Sequence, residues 1–125
     1  MRDHKKLESQ RTIHEHGVTY VHDLLDRVGF TIHDVNKEPD HHYQIFAQFK
    51  DRAMLIAVRT AYHPDVGKMD APTREKLIHE SKKLNAVPHF AGLSLTVANK
   101  SDIQREDSNQ IAENNIVFYG ISVVR

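Results

Sequence analysis

Apolar residues in the first quarter of the chain recur at spacings of three and four, which predicts an amphipathic helix with one buried face. Gly29 is suited to the end of this helix, because glycine readily adopts the left-handed backbone conformation found there. Gly17 disfavours a helix interior, so the helix is expected to begin at Ile13 or later. Residues 1–11 are then a frayed arm or the first turns of the helix. The predicted buried face comprises Ile13, Tyr20, Val21, Leu24, Leu25 and Val28.

After Gly29 the apolar residues recur at about every second position, which is the period of strands. Residues 30–35 alternate apolar and polar side chains, as a half-buried strand does. Residues 43–49 and 53–60 are two further strands, joined as a hairpin by a polar turn at Lys50–Arg52. The second strand of the hairpin is almost continuously apolar, which predicts a strand covered on both faces.

The second half of the chain continues with a helix over residues 72–86. Asp70 or Ala71 is its expected N-cap, Pro72 suits its first turn, and Pro88 is expected to end it. Its predicted buried face is Leu77, Ile78, Ser81 and Leu84. The remaining elements are a central strand at 89–98, a weakly indicated helix at 102–109 and a last strand at 116–124.

This order predicts one α/β domain over residues 1–125, with a mixed four- or five-stranded sheet flanked by helices in the order αβββαβ(α)β. The length suits a single domain, and the absence of cysteine excludes disulfides and thiolate metal sites. No apolar run approaches the length needed to span a bilayer, so no membrane partner is expected. The polar first residues lack the apolar core of a secretion signal, which favours a cytoplasmic location.

Charge is balanced overall, with 17 basic and 17 acidic side chains, but it is unevenly distributed. Residues 41–90 hold an excess of basic over acidic residues, which favours contact with a phosphate backbone of DNA or RNA. The alternative is an ordinary solvated helix surface. Tyr43, Tyr62 and His63 are candidates for stacking on bases. The candidate nucleic-acid-binding residues are Arg59, Lys68, Arg74, Lys76 and Lys83.

Four stretches resemble the restriction endonuclease-like, or PD-(D/E)XK, nuclease superfamily, in particular Mrr-type endonuclease domains and archaeal Holliday junction resolvases. They are LLDRVGF at Leu24–Phe30, PDHHYQIFA at Pro39–Ala47, LIAVRTAYHPDVG at Leu55–Gly67 and HFAGLSLTVA at His89–Ala98. The resemblance implies a restriction endonuclease-like core for the α/β domain. It also implies an active-site hairpin, in which one strand carries an acid and the next carries an acid and a lysine.

At the places that the resemblance assigns to those groups, this chain has Gln44, Ala57 and Arg59. In the superfamily the paired carboxylates bind a divalent metal that activates water. With both carboxylates missing, Mg²⁺ binding at this place is not expected. The resemblance therefore implies a catalytically degenerate domain with no assigned catalytic residue, metal or cofactor, acting in nucleic-acid binding or as a structural module in DNA processing.

Three alternatives stay open at this point. An active nuclease would bind Mg²⁺ through relocated carboxylates, for which Asp40, Asp65 and Glu15 are the candidates. A protein-interaction module would fit the zero net charge, and a last strand at the sheet edge would allow a homodimer. The ten histidines include neighbouring residues that are weak zinc candidates: His14, His16, His41, His42 and His63.

Overall fold

The computed structural model describes residues 2–96 and 116–125, with side chains from Gln10 onward. Its elements confirm the predicted order of helix, three strands, helix and two strands, while the helix predicted at 102–109 lies outside the described residues. The elements are α1 (Arg2–Arg27), β1 (Thr31–Val35), β2 (Ile45–Phe49), β3 (Arg52–Tyr62), α2 (Ala71–Lys83), β4 (Val87–Leu95) and β5 (Ile116–Val123).

The described strands form one mixed sheet in the order β1-β2-β3-β4-β5. β3 and β4 pair in parallel, and the other three pairs are antiparallel. A parallel pair needs a crossover, and α2 supplies it. The five-stranded mixed sheet and its helices confirm the predicted α/β class.

The two helices cover opposite faces of the sheet. α1 packs Val18, Val21 and Leu25 onto one face, in a cluster that includes Ile56 and Val58 of β3. On the other face, Leu77 of α2 packs against Leu55 and Ala57. Residues 55–58 of β3 are all fully buried, which confirms that this strand is covered on both sides.

The first helix is longer than the sequence indicates. It begins at Arg2, and Gly17 lies inside it, where a Cβ atom would overlap the Oγ1 of Thr60 on β3. Gly17 therefore serves close packing between helix and sheet, not a helix start. The end is as predicted, because Gly29 has a φ of 102° and the Phe30 N–H donates to the Leu25 carbonyl. The predicted burial of Val28 is wrong, since this residue follows the helix and is 55% exposed.

The second helix begins at its predicted cap and ends earlier than expected. The Asp70 carboxylate accepts a hydrogen bond of 2.8 Å from the Thr73 N–H. After the helix, Asn85 takes a φ of 55°, and Pro88 lies within β4 instead of acting as the stop. Leu84 follows the last turn and is exposed, so its predicted burial is also wrong.

The hairpin turn is one residue shorter than predicted. Lys50 and Asp51 form it, and Arg52 already belongs to β3, where it pairs with Phe49. β5 forms one edge of the described sheet, as expected. Neither described helix has the combination of length and apolar character needed to cross a membrane.

Candidate functional site

The buried amide of Gln44 extends the pairing between β2 and β3. Gln44 lies just before β2, and its backbone N–H donates to the Ile56 carbonyl at 2.9 Å. The next donor along β3 is the Val58 N–H. It donates to Oε1 of the Gln44 side chain at 2.7 Å, in place of a backbone carbonyl. The Gln44 side chain thus supplies the hydrogen-bond acceptor that a backbone carbonyl supplies elsewhere in the pairing of β2 with β3.

Every hydrogen-bonding position of the Gln44 amide is occupied. Besides the Val58 N–H, Oε1 accepts from Nη1 of Arg59 at 2.8 Å. Nε2 donates to the carbonyls of His41 at 2.8 Å and Glu38 at 3.3 Å. An amide has two acceptor lone pairs and two donor hydrogens, so no position remains for a ligand.

The guanidinium of Arg59 is half-buried and is held by neutral oxygens. Alternation along β3 places Arg59 on the same face as Leu55 and Ala57, the face that α2 covers. Nη1 donates to the Val58 carbonyl at 2.9 Å in addition to Gln44, and Nη2 donates to the His41 carbonyl at 3.0 Å.

No carboxylate in the described part of the chain pairs with this guanidinium within the 4.0 Å of a salt bridge. Burial lowers the pKa of Arg59, and the charges of Asp70 and Asp40 oppose that shift. An arginine stays protonated under such conditions, so the site holds a fixed positive charge.

These residues do not fit a divalent metal. Ala57 is fully buried and has no side-chain oxygen, and both lone pairs of the Gln44 oxygen are taken by N–H groups. A cationic guanidinium lies within hydrogen-bonding distance of that oxygen. Mg²⁺ requires several oxygen ligands, usually including carboxylates, and neither Ala57 nor Gln44 supplies a free oxygen or a carboxylate.

Asp40, Asp65 and Glu15, the carboxylates of the active-nuclease alternative, do not form a metal site. Among the described residues, no group of three histidine, cysteine, aspartate or glutamate side chains has the geometry to hold a metal ion. Asp65 is exposed, with its backbone carbonyl bonded to the Ser94 hydroxyl, and Glu15 is half-buried on α1. Asp40 is exposed in the loop before β2, and its charge acts on Arg59.

The predicted buried face of α1 does not include His14, which is nevertheless buried. It is 5% exposed on α1, and its Nε2 has no hydrogen-bond partner among the described residues. Burial, followed by the positive charge of Arg59, lowers the pKa of His14 to about 4. Its position, one helical turn before the buried Val18, is the signal that would have predicted its burial.

The candidate basic residues lie on β3, in the loop before α2 and on α2. Lys76 and Lys83 are seven positions apart on α2 and share a face, whereas Arg74 points to another side of the helix. All three are exposed, as is Lys68 in the loop before α2. Lys76 on α2 acts electrostatically on residues near Arg59, since its positive charge contributes to lowering the pKa of both His42 and Asp70.

Comparison with known proteins adds a family and a partial likeness. Residues 11–122 match a protein family described as "Domain of unknown function (DUF8840)". No curated protein matches the chain. A solved Holliday junction resolvase from the hyperthermophilic archaeon Archaeoglobus fulgidus is similar at 21% identity and a TM-score of 0.45, over 63% of this chain and 69% of the resolvase.

Proposed function

We propose that this chain, which belongs to the DUF8840 family of domains of unknown function, binds nucleic acid through the phosphate backbone and does not cleave it by divalent-metal chemistry. The observation that carries the proposal is the Arg59 guanidinium, whose charge is held by carbonyl and amide oxygens and by no described carboxylate. Such a cation keeps its attraction for an anion, because no neighbouring acid neutralises it in direct contact.

The chemistry of Gln44 supports the second half of the proposal. A metal-dependent nuclease needs free oxygen ligands, and the one side-chain oxygen at this place is bonded to two N–H groups. The same bonds hold Arg59 in one position, so the residues serve to fix a cation. Fixed cations suit phosphate binding without hydrolysis.

Lys76 is the natural second contact, because it is the exposed cation on α2 whose charge bears on the neighbourhood of Arg59. Asp70 reduces the positive potential at the same place, since its charge acts on Arg59. Removing that charge is therefore expected to strengthen binding. Asp70→Asn is suited to this purpose, because asparagine also caps helices well and preserves the start of α2.

The test is a fluorescence anisotropy titration of labelled oligonucleotides at several salt concentrations. Arg59→Ala combined with Lys76→Ala is expected to weaken binding at least tenfold and to reduce the salt slope by about 1 to 2, because each lost phosphate contact removes roughly 0.7 to 0.9. Asp70→Asn is expected to tighten binding. An affinity and slope unchanged by the double substitution would refute this surface.

The matched control removes two cations at the opposite end of the sheet. Arg27→Ala with Lys50→Asn deletes the same charge, and asparagine tolerates the positive φ that Lys50 has in the hairpin turn. This control is expected to lower affinity far less than the double substitution at Arg59 and Lys76. Equal losses in both double variants would indicate a general charge effect and contradict a defined contact surface.

A second candidate function is homodimerisation through β5. This strand lies at an edge of the described sheet and exposes Val117, Tyr119 and Val123. An edge strand with apolar side chains is suited to pair with the same strand of a second copy. Light scattering is the test. A dimer that Tyr119→Lys converts to a monomer would support this function, and a monomer at all concentrations would exclude it.

A further inference from the structure

Three consecutive rings pack against one another in the loop that precedes β2. The imidazoles of His41 and His42 are stacked, with centroids 4.5 Å apart and planes inclined by 19°. The ring of Tyr43 meets both edge-on, at centroid distances of 4.6 Å and 5.3 Å. All three residues are half-buried, so each keeps part of its surface accessible. We call these three residues the ring cluster.

Neighbouring elements hold the ring cluster in place. The Tyr43 hydroxyl donates to the Asp34 carboxylate on β1 at 3.1 Å. On the α2 side, Nε2 of His42 lies 3.6 Å from a carboxylate oxygen of Glu80. Within the loop, Nδ1 of His41 lies 2.8 Å from the Tyr43 carbonyl. Rings fixed in this way lose little conformational freedom when a flat ligand stacks on them.

The ring cluster is directly linked to the cation of the proposed phosphate contact. The backbone carbonyl of His41 accepts from Nη2 of Arg59 at 3.0 Å, so one hydrogen bond joins the guanidinium to the main chain of the first residue of the ring cluster. Lys76 lies four residues, about one helical turn, before Glu80, the α2 residue whose carboxylate is 3.6 Å from His42, which places a second cation near the rings. Aromatic groups beside cations are the combination that single-stranded nucleic acids use, because bases stack while phosphates pair with positive charge.

We propose that the ring cluster stacks an unpaired nucleobase whose phosphate is bound at Arg59, so that the ligand of this site is single-stranded nucleic acid. The inference rests on the proposed function. In a duplex the bases are already stacked on their neighbours, and their faces are not available to the rings. A strand with exposed bases therefore gains a contact that the backbone alone does not provide.

The test compares three labelled ligands of equal length at low salt: oligothymidylate, oligouridylate and an abasic deoxyribose-phosphate oligomer. The abasic oligomer has the same backbone charge and no base. We expect both base-containing strands to bind about tenfold more tightly than the abasic one, since base–aromatic stacking contributes on that order per base. The two base-containing strands also distinguish RNA from DNA as the source of the base.

Variants assign the difference to the ring cluster. Tyr43→Leu and His41→Leu are expected to weaken binding of oligothymidylate and to leave binding of the abasic oligomer unchanged. Tyr43→Phe keeps the ring and is expected to retain most of the affinity. Phe49→Leu, which removes an exposed aromatic ring at the hairpin end of β2, is the control and is expected to bind like the unmodified protein. Thermal melting establishes that each variant is folded.

The outcomes separate this inference from the proposal on which it rests. If the abasic oligomer binds as tightly as oligothymidylate, and Arg59→Ala weakens both, the phosphate contact stands and base stacking is refuted. If neither ligand binds at low salt, the proposed function fails, and the inference fails with it. The comparison of ligands on the unmodified protein needs no substitution, so a variant that does not fold leaves the test intact.

Discussion

Replacing Gln44 with alanine tests whether this side chain holds the start of β2, the preceding loop and Arg59 together. The substitution removes two hydrogen bonds to Oε1, from the Val58 N–H at 2.7 Å and Arg59 at 2.8 Å. It also removes the two bonds that Nε2 donates, to the carbonyls of His41 and Glu38. The amide is completely buried, so water does not replace these bonds without rearrangement.

The magnitude follows from what remains behind. A buried backbone N–H without a partner, here that of Val58, costs about 1 to 3 kcal/mol. The other three bonds contribute on the order of 1 kcal/mol each, with partial recovery through solvent. We therefore expect Gln44→Ala to lower the free energy of unfolding by about 3 to 5 kcal/mol, a large part of the roughly 5 to 15 kcal/mol of a typical domain.

Urea unfolding followed by circular dichroism measures the change. Gln48→Ala is the matched control, because Gln48 lies four residues further along on β2 and its amide bonds to Lys50 and His33 are exposed. We expect this control to cost less than about 1 kcal/mol. Gln44→Met keeps much of the side-chain volume and removes all four bonds, so it separates hydrogen bonding from packing. A loss for Gln44→Ala no larger than that for Gln48→Ala would refute the reasoning.

Two further predictions concern α1. Because burial lowers the pKa of His14 to about 4 from the ordinary 6.5, the unfolded chain binds this proton first. The contribution of His14 to the free energy of unfolding is therefore fully present above pH 6.5, and about 3 kcal/mol is lost as the pH drops towards 4. His14→Leu is expected to remove this dependence in pH-dependent urea unfolding, whereas His79→Leu, at an exposed position, is expected to retain it. Gly17→Ala is expected to lower the melting temperature despite the higher helix propensity of alanine, because its Cβ meets Thr60. Thr60→Ala in the same chain is expected to restore much of the loss, and an unchanged melting temperature for Gly17→Ala alone would contradict the contact.

The sequence predicted most of the fold, because its apolar periods are distinct. The continuous apolar run of β3 correctly indicated a strand covered on both faces, and Gly29 marked the end of α1. The errors lie where tertiary contacts override local preference. The low helix propensity of Gly17 predicts a late helix start, but the absent side chain is required by the contact with Thr60. Pro88 was expected to stop α2, but the turn at Asn85 ends it.

The candidate site was predictable in part. The resemblance assigns Gln44 and Arg59 to one place, and a hydrogen bond joins their side chains there. No pattern of residues predicts that the loop after β1 folds back onto Arg59, because hydrogen bonds to the backbone carbonyls of His41 and Glu38 fix that path. A loop held by its backbone carbonyls carries no characteristic residue pattern.

The central claim is that a fixed guanidinium binds the phosphate backbone without a metal ion. Its most direct test is the affinity of the protein for a labelled single-stranded oligonucleotide in Mg²⁺, compared with EDTA and putrescine replacing Mg²⁺ at equal concentration. The reaction products are then separated on a denaturing gel. We predict equal affinity in the two buffers and an intact strand in both. Binding that requires Mg²⁺, or a strand cleaved only when Mg²⁺ is present, would contradict the claim.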